Sequence, residues 1–332
     1  MRVKKLEALM SDADFWADRQ KADLAIKELG ELNDLAGKFK EVEDGILELE
    51  KGMVDRSSSA KATEDFASKF FEIKRKFRQL ELTQLFLGAY DKRAAILGFY
   101  PGAGGEDAGD WTRMLFEMYE KYAGRQGWKV TVLDDNPNRR TLEVRGEYAY
   151  GYLKGEMGVH RLVRMSPFSA KQLRHTSFAL VEVLPDLPEV EESKLQIPEK
   201  DLKFEFFRSS GPGGQNVNKV ETAVRVVHIP TGLTAASQVE RSQVSNREKA
   251  VKVLKAKIFD LMQKNQVKEL GDLRTKVKPE WGNQIRSYVL NPYKMVKDHR
   301  TETETSNADG VLEGDIDMFI ESEVELLGSD KH

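Results

Sequence analysis

The residues best suited to chemistry in this chain form one run, Arg208-Ser209-Ser210-Gly211-Pro212-Gly213-Gly214-Gln215-Asn216-Val217-Asn218-Lys219. Glycines crowd a single glutamine here, between basic flanks. Without a Cβ, glycine reaches positive φ and lets the backbone press close to another surface. Gln215 offers a backbone N–H, a side-chain donor and a side-chain acceptor. It carries no proton that titrates near neutrality. It therefore suits the placement of a water or an oxyanion better than general-base work. Taken alone, the tripeptide Gly213-Gly214-Gln215 fits an ordinary hairpin loop equally well.

Two other clusters offer recognition chemistry. Ser166-Pro167-Phe168 opens a loop that runs to Arg174-His175-Thr176. Pro167 stiffens it, and Ser166 supplies a small hydrogen-bonding group. Phe168 and His175 have flat faces that stack on an unpaired base. The competing reading is a hairpin turn with a buried phenylalanine. Gly102-Ala103-Gly104-Gly105-Glu106-Asp107 lacks the Gly-x-Gly-x-x-Gly spacing, and no Gly-Lys-Ser/Thr occurs, which argues against a dinucleotide or nucleoside triphosphate site. A glycine-led helix N-terminus still presents N–H groups to an anion or a base edge. The histidines, His160, His175, His228, His299 and His332, are scattered without metal-ligand spacing, and no nucleophile elbow is present. No metal, cofactor or hydrolytic triad is expected.

A length of 332 residues suggests two or three domains, and the absence of cysteine excludes disulfides and thiolate chemistry. Met1-Arg2-Val3-Lys4-Lys5-Leu6 is followed by polar residues rather than a signal-peptide core, and no stretch is long enough to span a bilayer. A cytoplasmic location is expected. The net charge of −3 conceals an uneven distribution. The chain is acidic from Thr301 onward, whereas Arg208, Lys219, Arg225, Arg241, Arg247, Lys249, Lys252, Lys255 and Lys257 gather around the glycine loop. Local stripes decide phosphate contact. A solvated helix face is the alternative for Lys249 to Lys257.

The elements that must position these residues follow from periodicity. Leu32, Leu35, Phe39, Val42, Ile46, Leu49 and Met53 mark one helical seam, and Phe66, Phe70, Ile73, Phe77, Leu80 and Leu87 mark another. Asp55 to Ser59 interrupts them, so the two helices should pack antiparallel. From Ala94 the pattern changes to strands at 94–99, 128–133, 141–146, 159–165 and 176–184. A helix is expected over 106–126 and a short one over 148–156. A charged linker follows to Pro198. Next come a strand at 203–207, the glycine loop, a hairpin over 220–236 and a basic helix over 242–270. The expected fold class is α+β and multidomain, with a helical N-terminal domain over 1–90 and α+β domains over 91–198 and 199–282. The late strands suggest that 283–332 returns to complete the first sheet before an acidic helix.

The glycine loop and the Ser-Pro-Phe loop together resemble the bacterial-type class I peptide chain release factors. The resemblance is strongest to the release factor 2 branch, which reads UGA and UAA. It runs through most of the chain, including Gly158-Val159-His160-Arg161-Leu162-Val163-Arg164, Arg174-His175-Thr176-Ser177-Phe178, Ile285-Arg286-Ser287-Tyr288-Val289-Leu290 and Lys297-Asp298-His299-Arg300-Thr301. It implies that 91–198 is a codon-recognition domain and 199–282 a catalytic domain. It also implies that Gly213, Gly214 and Gln215 enter the peptidyl transferase centre. There the peptidyl-tRNA ester is hydrolysed, with the Gln215 backbone N–H at the oxyanion and its side chain shaping the water site. Ser166 and Thr176 would hydrogen-bond to the second and third bases, with Pro167 and Phe168 in the reading loop and His175 stacking between the bases. Gly105 and Asp107 would meet the first-position U. Arg208, Lys219, Arg241 and Arg247 would contact RNA.

The implied partners are the ribosome with its ribosomal RNA, the mRNA stop codon and P-site peptidyl-tRNA. A glutamine methyltransferase acting on Gln215 and a translational GTPase complete the set, and the chain is expected to be monomeric. The sequence departs from the family at Glu106-Asp107, where Thr-Glu is common, at Ser169 to Leu173, where many relatives carry glycines, and in a shorter leading helix. Two other readings share the motifs: a paralogue repurposed to bind or protect RNA, and a codon-independent ribosome-rescue hydrolase. The first has no need of both loops, and the second is typically short with a basic tail.

Overall fold

Apolar residues repeating every three or four positions between Leu32 and Leu87 predict helices, and the computed structural model has helices over 19–54 and 60–85. It describes residues 2–11, 14–17, 19–54, 60–86, 88–171, 173–187, 195, 197–208, 221–264 and 284–329. Helix α1 (Arg2–Met10), a 3-10 turn, α2 (Arg19–Val54) and α3 (Ala60–Leu85) form one unit, Met1–Leu85. Lys69 pairs with Glu48 and Lys76 with Glu41, so α2 and α3 run antiparallel. Only part of the expected seam is buried. Val42, Leu49, Ile73 and Leu80, seven apart on each helix, form its core, while Phe39, Ile46, Phe70 and Phe77 stay 43–47% exposed. A coiled-coil seam buries two positions per heptad; here the second, Phe39 and Ile46 on α2 and Phe70 and Phe77 on α3, faces outward. Gly45 brings the backbones close; a Cβ there would lie 2.4 Å from Ile73 Cδ1.

The second unit, Phe86–His332, contains two sheets. The larger is built from β1 (Ala95–Pro101), β2 (Lys129–Asn136), β3 (Arg139–Arg145), β4 (Gly158–Met165), β5 (Arg174–Pro185), β9 (Gln284–Val289), β10 (Met295–Asp298) and β11 (Glu304–Thr305). Its order is β11-β10-β9-β4-β5-β1-β3-β2. Every neighbouring pair is antiparallel except β4 and β9, which the chain joins only after a long excursion through the second sheet. Helix α4 (Glu106–Arg125) lies across the sheet on Trp111, Leu115, Met118, Tyr119 and Tyr122, all at most 2% exposed. That spacing is the apolar stripe of a helix packed on one face. Each such side chain contributes roughly 1.5–3 kcal/mol on burial.

Helix α5 (Ala149–Leu153) and a 3-10 turn (Lys154–Glu156) lead into β4. Strands β6 (Leu202–Phe207), β7 (Ala223–His228) and β8 (Thr234–Ser237) make the smaller antiparallel sheet, covered by α6 (Gln243–Lys264). The remainder of the expected basic helix, 265–270, lies outside the described residues. One apolar cluster runs without a break from Ile96, Leu133 and Leu184 of the large sheet to Val226, Ala235, Leu254 and Ile258 of the small lobe.

The C-terminal elements are anchored by buried charge. Arg286 on β9 is fully buried and donates to Glu156 at 2.6 and 2.7 Å and to Asp298 at 3.1 and 3.2 Å. Arg300 donates to Asp298 at 2.8 Å and to Glu323 at 3.2 Å. After the short helix α7 (Ala308–Leu312), the last helix, α8 (Asp317–Ser329), is thereby tied through Glu323 to β10 and to the turn before β4. Among the described residues, no helix is long and apolar enough to cross a membrane.

Candidate functional site

Two sequence-distant segments meet where β4 ends and β5 begins. Strand β1 ends at Pro101, paired with Ala179, and the glycine turn continues along β5. Gly102 N–H donates to Phe178 O at 2.7 Å, and Phe178 N–H donates back to Ala103 O at 2.9 Å. Gly104 has φ +138°, and a Cβ there would sit 2.7 Å from Ser177 Oγ and 3.1 Å from Ser177 Cα. Glycine is required at that point by the close approach. Gly105, with φ +61°, caps α4 through its backbone alone and has nothing within 4 Å of its virtual Cβ. The tip formed by Gly105 and Glu106 is open to solvent.

The β4–β5 hairpin presents the second cluster. Val163 faces Thr176 in register, Arg164 faces His175, and Met165 faces Arg174. Ser166 is buried: its N–H donates to Leu173 O at 3.1 Å, and its hydroxyl accepts from Phe168 N–H at 3.2 Å. Those bonds shape the loop. Pro167 and Thr176 are exposed and His175 is half-buried. Phe168 is 53% exposed, with Met165 and Leu173 beside it in sequence at 45% and 55%. Phe168 therefore faces outward rather than filling a core. An exposed aromatic ring on a loop fixed by its own hydrogen bonds offers a stacking platform.

Asp107 differs from the expectation of an outward-facing reader. Its carboxylate is 2% exposed. Arg164 donates to Oδ1 at 3.1 and 2.5 Å, and the Ser177 hydroxyl donates to Oδ2 at 3.0 Å. Arg164 also reaches Asp110 at 2.6 Å. Burial alone would push the Asp110 carboxyl up, but bonds from Arg113 and Arg164 hold it below its ordinary value. Neither Arg164 nor Ser177 stands in a motif that assigns it a role by spacing. A signal was available, since Arg164 shares a strand face with the fully buried Leu162, and an arginine on a buried face needs a carboxylate.

The glycine loop springs from a fixed stem. Phe207 at the end of β6 pairs with Ala223 at the start of β7. Residues 209–220, among them Gly213, Gly214, Gln215 and Lys219, lie outside the described residues. The returning strand is fastened from α6. Asn246, fully buried, donates to Thr222 O and Glu240 O at 2.8 Å each and accepts from Ser237 Oγ and Glu240 N–H. Gln243 donates to Glu221 O at 2.8 Å.

The basic stripe divides in two. Arg208 and Arg241 are exposed. Arg247 is half-exposed, with its guanidinium 4.4 Å from the Phe204 ring centroid. Lys252 and Lys257 point instead into the seam with the large sheet. Lys252 pairs with Asp186 at 2.7 Å and Glu143 at 3.1 Å. Lys257 pairs with Glu182 at 2.9 Å and donates to Tyr100 Oη at 2.7 Å. Burial and the Glu182 charge push the Tyr100 hydroxyl up to about 12. Of the scattered histidines, His160, His228 and His299 are all held in hydrogen bonds within the protein.

Comparison with known proteins places these features in context. Residues 1–181 match the family model described as the PCRF domain, and residues 190–300 match the RF-1 domain. The chain is 46% identical over 331 residues to peptide chain release factor 2 of Thermomicrobium roseum, covering 97% of this chain and 87% of that one. It is 42% identical over 329 residues to peptide chain release factor 2 of Thermosipho africanus, covering 97% and 89%. Among solved structures, RF2 of Thermus thermophilus matches with a TM-score of 0.70 at 38% identity, over 100% of this chain and 96% of that one.

Proposed function

The chain belongs to the peptide chain release factors, and from that membership we propose that it terminates translation on the ribosome at UGA and UAA. Its task is then hydrolysis of the ester between the finished peptide and the P-site tRNA. The observation that carries this reading is the joining of two recognition segments at one end of the large sheet. The open Gly105 tip is strapped to β5 beside Ser177, next to Thr176, while the Ser166 loop leaves the adjoining strand end. A single-stranded codon is read by unpaired base edges and by stacking, and both kinds of group are present there.

The proposed division of labour runs as follows. Gly105 offers backbone groups to the first base, Thr176 offers a hydroxyl to the third, and His175 and Phe168 offer flat faces. Ser166, buried here with its hydroxyl accepting from Phe168 N–H, reaches the second base only when the loop opens. Pro167 holds the loop. On its fixed stem, the glycine loop reaches the ester. Water attacks the carbonyl carbon, the C–O bond to the tRNA breaks, and the tRNA hydroxyl takes up a proton. The Gln215 N–H is the proposed donor to the oxyanion that forms, and Gly213 and Gly214 permit its approach. Ribosomal RNA completes the active site. Arg208, Arg241, Arg247 and Lys219 are the proposed phosphate contacts. Methylation of the Gln215 amide by a methyltransferase, recycling by a translational GTPase and a cytoplasmic location complete the proposal.

Peptide release from ribosomes holding UGA, UAA, UAG or a sense codon in the A site tests it. Release is expected on UGA and UAA alone. Release on UAG would refute the codon assignment, and release on no codon would point to the repurposed paralogue.

A further inference from the structure

Gly105 is the least supported part of the recognition surface. No side chain packs where its Cβ would be, and its cap on α4 uses backbone groups only. The placement of this tip relative to the hairpin depends on what holds the first turn of α4. Asp107 does so, with both carboxylate oxygens bonded to the hairpin strands: Oδ1 to Arg164 on β4 and Oδ2 to Ser177 on β5. Arg164 stands two residues before Ser166, and Ser177 directly follows Thr176. The guanidinium also binds Asp110, one turn further along α4. A planar cation bridging two carboxylates on one helix face fixes orientation as well as distance. Arg164 is 12% exposed as a side chain and Ser177 fully buried, so neither is free to meet a base from this position.

We infer that Arg164 and Ser177 are positioning residues for codon reading, which hold Asp107, and through it the Gly105 tip, in register with the Ser166–Thr176 hairpin. The inference rests on the stop-codon reading proposed above. It also assigns Asp107 a role from within the protein: the carboxylate holds the reader of the first base instead of touching that base. The hairpin keeps its own bonds, Ser166 N–H to Leu173 O and Phe168 N–H to Ser166 Oγ. Loosening the tie should therefore degrade reading of the first base and spare the third.

The test compares kcat/KM for peptide release on UGA with that on CGA, changed at the first base, and on UGG, changed at the third. Ser177→Ala and Arg164→Lys are made in the full chain. Ser177→Ala should lower the UGA-over-CGA ratio by about tenfold, the order set by one hydrogen bond to a charged group. The UGA-over-UGG ratio should stay within about twofold, inside the spread of a neutral surface change. Arg164→Lys keeps the charge but cannot bridge both carboxylates, and its first-base loss should be larger. Unchanged first-base ratios in both variants would overturn the inference, as would equal losses at first and third bases, which mark general loosening. If Arg164→Lys fails to fold, Ser177→Ala decides alone, since it removes a single buried hydroxyl. Failure of the unaltered chain to release on UGA would overturn the functional reading and the inference with it. Normal release with unaltered discrimination in the variants would overturn the inference alone.

Discussion

Gln215 is the residue on which the proposed hydrolysis turns, and its chemistry sets what substitution should do. If its backbone N–H is the donor, Gln215→Ala keeps that donor and alters only the water site. A bulky residue at Gly214 instead displaces the donor itself. Gly214→Val should therefore cost more in the release rate than Gln215→Ala, by about a hundredfold or more, as for removal of an oxyanion donor. Ribosome binding should be nearly unchanged in both. Single-turnover release and a filter-binding assay separate the two quantities; equal release by all three proteins would exclude the loop as the reacting part. Asn246 shows the reach of such a loop into the fold. It ties Thr222, just past the glycine loop, to the first turn of α6 through one hydrogen bond, while three more bind Asn246 to Ser237 and Glu240.

At the scale of elements, β4, β9, β10 and α8 are joined by ionisable groups whose pH responses oppose one another. Burial pushes the Glu323 carboxyl up to about 7 against the pull of Arg300. A raised carboxyl contributes stability that is full below the ordinary value of 4.5 and is lost as pH rises through about 7. Burial and the Arg286 charge push the His160 imidazole down to about 4. A depressed histidine contributes stability that is full above its ordinary 6.5 and is lost as pH falls to about 4. Between pH 4.5 and 6.5 the two slopes oppose each other. Glu323→Gln removes one of them, so denaturant-unfolding stability of that variant should climb more steeply with pH across this window than in the unaltered chain. Parallel curves for the two proteins would show that Glu323 does not titrate as described.

At the scale of the second unit, the small lobe is held to the large sheet by a continuous apolar cluster and by two lysines of α6. Lys257 is 8% exposed and its charge is maintained against burial by Glu182 and the Tyr100 hydroxyl. Removing one member of such a group strands the other. Lys257→Met should destabilise the protein by about 3 kcal/mol, and adding Glu182→Gln should restore part of the loss. A double-mutant cycle of unfolding free energies measures the coupling, and additive losses would show that the pair is not energetically joined. The same contacts show why a count of basic residues overstates the surface for RNA. Arg208, Arg241 and Arg247 face outward, but Lys252 and Lys257 neutralise carboxylates of the neighbouring sheet.

Local periodicity determined much of this protein before any contact was known. Strand and helix positions follow from periods of two and three to four, the breaks from Gly, Pro and Ser clusters, and the recognition and glycine loops from residue chemistry. These depend on neighbours a few positions apart, and one chain segment contains all the information. Tertiary structure decided what lies between distant segments. The periodicity places Leu35 and Phe39 within a helical seam, yet they remain 39% and 44% exposed, since which part of a seam is covered depends on where the partner helix lies. The family resemblance puts Asp107 toward a base, but Arg164, 57 residues away, turns it inward. Strand β9 reaches β4 in parallel only after the whole small lobe has been laid down. A buried charge takes its role from its partner, and the identity of that partner is fixed by packing across the fold.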